Sequence, residues 1–335
     1  MNEGEKQILL TFSNNKLLPL LFGEEDKNLA RIEEKLHVTT STRGNTVSVS
    51  GEGQDVNLAK QVLDAVYAKL EKKHEIGLAE IDAVIRMVTG AKTGREKMAG
   101  DVVIKTHRKH IFPFSPHQSE YIKALLSREL TFACGPAGTG KTYLAVAAAV
   151  SMFLEKKVDR IILSRPAVEA GEKLGFLPGD LKDKVDPYLR PLYDALYDMM
   201  PAERVMKCLE DGEIEIAPLA FMRGRTLSHA FIILDEAQNA TTTQMKMFLT
   251  RLGEGSRMAV SGDLSQTDLP GSVKSGLRDA IQKLQDVEGI EFIRFNHHDI
   301  VRHELTVKIV EAYERHDRKE KQRIKGEKLE NSKEN

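Results

Sequence analysis

The sequence contains no tryptophan, only two cysteines and few aromatic residues. Of its 335 residues, 6% are aromatic, 41% are hydrophobic and 30% are charged. Cys134 and Cys208 alone cannot form a disulfide framework, which favours a cytoplasmic location. The sequence also lacks an apolar run of about 18 residues and an N-terminal signal segment, so we expect no transmembrane helix and no membrane partner. With disulfide-rich and transmembrane proteins excluded, the composition is typical of a globular protein, and the length corresponds to about two domains.

The sequence also lacks a strong excess of charge of either sign. Its net charge is −1, which excludes a chain that is basic throughout. Positive charge is concentrated in two segments: residues 89–112 have six basic and two acidic side chains, and residues 315–335 have eight and five. Two interpretations remain open, because such segments can either contact a polyanion or serve as solvated linkers.

The periodicity of apolar residues divides the chain into domains. Residues 1–88 combine alternating strands with amphipathic helices and predict a small α+β domain. Residues 89–112 form a basic linker rich in glycine, and residues 315–335 predict a disordered charged tail. Within residues 113–314, continuous apolar runs alternate with helices, which predicts an α/β three-layer domain with buried parallel strands. These runs cover residues 130–134, 160–164, 214–218, 231–235, 258–262 and 290–294.

A phosphate-binding loop follows the first of these predicted strands. The pattern G-x-x-x-x-G-K-[ST] is matched by Gly135, Pro136, Ala137, Gly138, Thr139, Gly140, Lys141 and Thr142. Its glycines let backbone N–H groups surround phosphate oxygens, and the start of the next helix adds partial positive charge. We expect the loop to bind ATP, with Lys141 reaching the β- and γ-phosphates and Thr142 holding Mg²⁺.

Two carboxylates, Asp235 and Glu236, follow directly after the apolar residues 231–234. At the end of a buried strand beside the phosphate-binding loop, Asp235 is expected to orient Mg²⁺. Glu236 is expected to polarise an attacking water, which favours hydrolysis over transfer to a small acceptor. The alternative for such a pair is a solvated strand end.

Three further residues are candidates for the same site. Gln266 follows another predicted strand and could sense the γ-phosphate, or it could belong to an ordinary turn. Gln118 has an amide that could read both edges of adenine, although by itself it is typical of a surface helix. Arg302 could neutralise charge in the transition state, or form a surface salt bridge.

These motifs together resemble those of superfamily 1 helicase ATPases and, more closely, the PhoH-like P-loop ATPases. The closer resemblance extends over nearly all of residues 113–314 and includes the stretches 164–166, 169–179, 186–188, 222–226 and 301–303. It implies a RecA-like core, ATP and Mg²⁺ as ligands, and a role in RNA metabolism. It also implies that Arg165 faces nucleic acid.

The first domain is similar to a small KH-like module. The KH backbone clamp uses a GXXG loop, and the nearest candidate is the segment 23–26. This segment ends in aspartate and contains three acidic residues, which would repel RNA. A protein-contact role for the domain therefore remains equally open.

Two functions follow from these observations. The first is an ATPase whose hydrolysis is coupled to single-stranded RNA, and the second is an ATP-gated interaction module with slow turnover. A small-molecule kinase lacks a recognisable acceptor pocket and lid, and a GTPase would need an N-K-x-D motif. Only one RecA-like core fits the length, so we expect Arg302 to act on the ATP of a neighbouring subunit. This requires a homo-oligomeric ring, for which we expect a hexamer.

Overall fold

A computed structural model describes residues 5–71, 76–90, 102–166 and 181–301. The predicted disordered tail, residues 315–335, lies outside this part of the chain, as does Arg302.

The first domain pairs a three-stranded antiparallel sheet with helices. The sheet order is β1-β3-β2, and Leu10, Val47 and Val49 of the sheet are buried in the same core as apolar residues of the helices. Its elements are β1 (Glu5–Thr11), α1 (Leu18–Phe22), α2 (Lys27–Leu36), β2 (Thr39–Arg43), β3 (Thr46–Glu52), α3 (Gly53–Glu71) and α4 (Leu78–Gly90).

Helix α4 joins this domain to the start of the second one. Arg31 of α2 makes a two-pronged ion pair with Asp82 of α4, at 2.8 and 2.9 Å. One turn further along α4, Arg86 Nε donates a hydrogen bond of 3.4 Å to the carbonyl oxygen of Phe114. Burial lowers the pKa of the Arg86 guanidinium from its ordinary value.

Residues 102–112 of the predicted linker contain a hairpin, and residues 89–90 are the end of α4. The strands of the hairpin are β4 (Ile104–Lys105) and β5 (His110–Ile111), which pair in antiparallel orientation. Ile104 and Ile111 are 1% and 5% exposed and belong to the apolar core of the second domain. These two isoleucines lie among charged residues, and their burial packs this part of the segment against the second domain.

The second domain is built on six parallel strands in the order β11-β6-β10-β9-β7-β8. All six strands coincide with the predicted apolar runs to within a residue at each end. The elements are α5 (Pro116–Ser127), β6 (Leu130–Cys134), α6 (Lys141–Leu154), β7 (Arg160–Arg165), α7 (Leu181–Met199), α8 (Ala202–Glu210), β8 (Ile214–Pro218), β9 (Ala230–Leu234), α9 (Thr242–Leu249), β10 (Arg257–Gly262), α10 (Gly276–Leu284) and β11 (Ile290–Arg294).

Helices cover both faces of this sheet. Alternate strand residues such as Ala133 and Ile233 pack with α5, α6 and α7, and their neighbours Phe132 and Ile232 pack with α9 and α10. Burial on both faces explains why the strands are continuously apolar. The expected fold class is confirmed: a RecA-like three-layer α/β core of the P-loop NTPase type, with a small N-terminal α+β domain.

Candidate nucleotide-binding site

Strand order brings the predicted site residues to one edge of the sheet. The strands are parallel, so the carboxyl ends of β6, β9, β10 and β7 meet there. Strand β10 lies between β6 and β9 and therefore separates the phosphate-binding loop from the Asp235-Glu236 pair. The last two residues of β10 contact both parts of the site: Gly262 accepts a hydrogen bond of 3.2 Å from Gly135 N, and Ser261 Oγ donates to Asp235 at 2.9 Å.

The phosphate-binding loop holds its backbone N–H groups open. Gly138 and Gly140 have φ angles of 82° and 79°, in the left-handed region that favours glycine. Within the described residues, the N–H groups of residues 137–142 donate to no other group of the chain. A row of such donors at the start of α6 fits the oxygens of a phosphate chain.

Lys141 lies across this loop. Its ammonium group donates to the carbonyl oxygens of Gly135 and Pro136, both at 2.7 Å, and to Thr139 Oγ1 at 3.3 Å. Burial lowers the pKa of Lys141 from its ordinary value, while the carboxylate of Asp263 in particular opposes that effect. All three donors of the ammonium group therefore converge on the loop that is expected to hold phosphate.

Thr142 and Asp235 are in direct contact. Thr142 Oγ1 donates to Asp235 Oδ1 at 2.7 Å, and Ser261 Oγ donates to the same oxygen at 2.9 Å. Asp235 is 4% exposed, so its carboxylate is held by these two hydroxyls. One hydroxyl and one carboxylate fit Mg²⁺ that takes its other ligands from phosphate and water. Among the described residues, no cluster of three or more histidine, cysteine, aspartate or glutamate side chains offers another metal site.

Glu236 is fixed in an unusual backbone conformation. Its φ is 50°, and its side chain is 36% exposed. Gln238 Nε2 donates to Glu236 Oε2 at 2.6 Å, and Arg165 Nη2 lies 3.5 Å from Glu236 Oε1. Each carboxylate oxygen therefore has a different partner, which restricts its rotation.

Gln266 is brought to the same edge of the sheet, with its side chain exposed. Its backbone N–H donates to the carbonyl oxygen of Asp263 at 3.0 Å, and its own carbonyl oxygen accepts from Gln238 Nε2 at 3.2 Å. The roles of Gln266 and of Arg302 stay predictions.

Gln118 is buried beneath the phosphate-binding loop and is not a surface residue. It is 2% exposed, its Oε1 accepts from Phe114 N at 2.6 Å, and its Nε2 donates to the carbonyl oxygen of Thr139 at 3.0 Å. Both ends of the amide are thus bonded within the chain, and the side chain braces the loop. Adenine recognition by Gln118 stays a prediction. It would require the amide to give up its bonds to Phe114 and Thr139 for bonds to the base.

Replacement of Gln118 by alanine tests the brace. We expect the dissociation constants of ATP and GTP to rise by the same factor, about tenfold, because the loss of one hydrogen bond costs about 1.4 kcal/mol. Isothermal titration of both nucleotides measures this, with the exposed Glu120→Ala on the same helix as control. A loss confined to ATP would instead assign Gln118 to adenine.

Sequence reasoning missed three residues of the site's architecture. Ser261 was predicted only as part of the strand at residues 258–262, although its hydroxyl donates to the same oxygen of Asp235 as Thr142 does. Gln238 received no role of its own, and Arg165 was assigned to nucleic acid without its contact to Glu236. A polar residue at the end of an apolar strand was the available signal for Ser261.

Two cations of the basic segment 89–112 have partners in the fold. Lys109 Nζ forms an ion pair with Asp198, which also accepts a hydrogen bond of 2.7 Å from Tyr143 OH. Arg108 Nη1 donates to the carbonyl oxygen of Tyr197 at 2.8 Å. Lys105 of the same hairpin is exposed.

The acidic loop of the first domain lies between α1 and α2. Glu25 and Asp26 both have positive φ angles, 53° and 58°. The segment 23–26 therefore forms a tight, strongly acidic connection at the position where a backbone clamp was considered.

The fold and the site together define a P-loop nucleoside triphosphatase core. The open loop N–H groups, the converging ammonium of Lys141, and the Thr142–Asp235 contact at the carboxyl edge of a parallel sheet are its distinguishing features. No helix among the described residues is long and apolar enough to cross a membrane.

Comparison with known proteins assigns this core to a family. Residues 110–314 match the profile described as PhoH-like protein. The PhoH-like proteins of Mycobacterium tuberculosis (strain H37Rv) and Bacillus subtilis (strain 168) are each 49% identical to this chain. These alignments cover 89% and 88% of this chain, and 85% and 93% of the two relatives. The chain therefore belongs to the PhoH-like family.

Protein PhoH of Escherichia coli (strain K12) is 50% identical over 198 residues, which are 58% of this chain and 56% of that protein. Among solved structures, the UvsW helicase of bacteriophage T4 is similar with a TM-score of 0.38 and 14% identity, over 58% of this chain and 64% of that one. The large terminase of a thermophilic bacteriophage has a TM-score of 0.38 and 13% identity, over 61% and 50%. This chain thus spans under two thirds of both solved proteins.

Proposed function

We propose that the chain binds and hydrolyses ATP with Mg²⁺, and that it couples hydrolysis to the binding or remodelling of single-stranded RNA. The observation that carries the hydrolytic part is the 2.7 Å hydrogen bond between Thr142 and Asp235, with Glu236 as the next residue. A hydroxyl at the start of α6 and a buried carboxylate are a suitable pair of protein ligands for nucleotide-bound Mg²⁺.

The residues of the site would have separate roles in hydrolysis. The N–H groups of residues 137–142 and the ammonium of Lys141 would hold the phosphates, and Thr142 and Asp235 would hold Mg²⁺. When bound, the ion would neutralise charge that develops on the phosphate oxygens. Glu236 would orient a water molecule and accept its proton, and Gln266 would sense the γ-phosphate.

The RNA part of the proposal rests on the family resemblance and on exposed positive charge. Lys105, His107 and Arg108 are exposed on the hairpin of residues 104–111. Arg108 donates to a carbonyl oxygen, whereas Lys109 forms an ion pair with Asp198. Lys105 and Arg108 are therefore the cations of this hairpin best suited to phosphate contact.

The proposed assembly is a homo-oligomeric ring in which Arg302 reaches the ATP of a neighbouring subunit. Its support is the single RecA-like core, since the described residues offer no second core in cis.

The ATP-gated interaction module is the second candidate. It is favoured by the acidic loop at residues 23–26, which repels RNA and suits a basic protein partner. In that case ATP would switch partner binding, and turnover would be slow.

Steady-state ATP hydrolysis with and without single-stranded RNA tests the proposal. We expect RNA to raise kcat several-fold, and the double variant Lys105→Gln/Arg108→Gln to lose part of this stimulation. That variant should also reduce the slope of log affinity against log salt by about 0.7 for each phosphate contact removed.

Lys283→Gln, a change to an exposed lysine on α10 that pairs with Asp279, is a control for the loss of a surface charge. Slow hydrolysis that is indifferent to RNA would favour the interaction module. Normal stimulation and an unchanged salt slope in the hairpin variant would assign Lys105 and Arg108 to a solvated surface.

A further inference from the structure

We propose that Gln238 is a positioning residue that ties the carboxylate of Glu236 to the loop that follows β10. The inference rests on the proposed function, because it concerns the group that would accept the proton of water. Gln238 lies two residues after Glu236 and is 1% exposed.

The amide of Gln238 bridges two parts of the site. Its Nε2 donates to Glu236 Oε2 at 2.6 Å and to the carbonyl oxygen of Gln266 at 3.2 Å. Its Oε1 accepts from the backbone N–H of Asp263 at 3.0 Å. A carboxylate only accepts and a backbone N–H only donates, so both partners require the same orientation of the amide.

Both the backbone and the side-chain amide of Gln238 are held in place by neighbouring residues. The carbonyl oxygen of Gln238 accepts a hydrogen bond of 2.9 Å from Ser275 Oγ. At Gly262 a Cβ atom would lie only 2.6 Å from Gln238 Oε1, so the amide lies directly on the glycine backbone. Gln238 therefore cannot move freely while β10 and its loop stay in place.

This arrangement has a direct consequence for Glu236. The Glu236 side chain is 36% exposed, and its other oxygen has Arg165 at 3.5 Å. Without the short bond to Gln238, the carboxylate would be free to turn toward Arg165 or solvent. The bridge also makes the position of the base depend on Asp263 and Gln266, whose loop is expected to respond to the γ-phosphate.

The test compares two substitutions that each replace a buried amide by a carboxylate of nearly the same shape. Gln238→Glu keeps an acceptor for Asp263 N but cannot donate to Glu236. Asn239→Asp is the matched control, because Asn239 Nδ2 donates to Asp268 Oδ2 at 3.2 Å and its Oδ1 accepts from Asp268 N at 2.9 Å. Gln238→Glu thus places a carboxylate against that of Glu236, and Asn239→Asp places one against that of Asp268. Only the first variant changes a contact of Glu236.

We expect Gln238→Glu to lower kcat by about 10- to 100-fold, by analogy with the range seen when the hydrogen-bond partner of a metal ligand is removed. The dissociation constant of ATP should change by less than about threefold, and Asn239→Asp should keep kcat. A melting temperature close to that of the unsubstituted protein shows that the variant is folded. Gln238→Met, which has similar length and no charge, should lower kcat over the same range and carries the test if Gln238→Glu does not fold.

Three results would overturn the inference: kcat within about twofold of the unsubstituted protein, equal losses in the Gln238 and Asn239 variants, or parallel losses of kcat, ATP affinity and melting temperature. Failure of the proposed function is recognised separately, since the unsubstituted protein would then show no hydrolysis above a Lys141→Ala blank.

Discussion

Replacement of Lys141 by alanine is expected to remove productive ATP binding. The ammonium group supplies three donors directed at the loop. Removal of one well-placed donor to developing charge typically costs about 10²–10³ in rate, and we expect a loss in kcat/KM of at least that size. ATP titration and steady-state hydrolysis measure the two components.

Two further variants sharpen this prediction. Lys123→Ala removes an exposed lysine from α5 and should leave both measurements unchanged. Lys141→Arg keeps the charge but replaces a compact ammonium, on a residue that is 9% exposed, by a larger planar guanidinium. We therefore expect it not to restore kcat/KM. Retention of normal kcat/KM by the alanine variant would exclude the phosphate-binding role of Lys141.

Replacement of Glu236 by glutamine should separate binding from hydrolysis. The change preserves size and removes the group that accepts a proton, so we expect kcat to fall by about 10²–10⁴ while the affinity for ATP stays within a few-fold. Single-turnover hydrolysis and equilibrium ATP binding on the same preparation measure the two effects.

Glu254→Gln, a change to an exposed acid away from the site, is the control for the lost charge. If the Glu236 variant keeps kcat within about threefold, another group activates water. A large loss of ATP affinity would instead place Glu236 among the groups that hold the nucleotide.

The sheet of the second domain was predictable because each strand is apolar along its whole length. The run predicted at residues 231–235 appears as β9 over residues 230–234, and the others agree as closely. Strand β2 was missed because Thr39–Arg43 is entirely polar and largely exposed, so alternation gives no signal. Helix α1 was missed because five residues do not complete a helical repeat.

Local sequence patterns identify candidate site residues where adjacent residues define the chemistry, but they do not identify contacts that depend on strand order. The phosphate-binding loop and the Asp235-Glu236 pair are read from contiguous residues. The contacts of Ser261 and Gln238 depend on β10 lying between β6 and β9, which no local pattern encodes. Gln118 was typical of a surface helix because its burial depends on the loop that folds over it.

The same strand order governs when the nucleotide site can form during synthesis. Strand β6, which delivers the phosphate-binding loop, pairs only with β10 and β11 in the described sheet, and these begin at Arg257 and Ile290. A nascent chain that ends after β9 therefore carries the loop on a strand without hydrogen-bonded neighbours. Such long-range pairing is slow to form and leaves an apolar strand open to aggregation. We therefore expect the loop to become a binding site only after β10 has been synthesised.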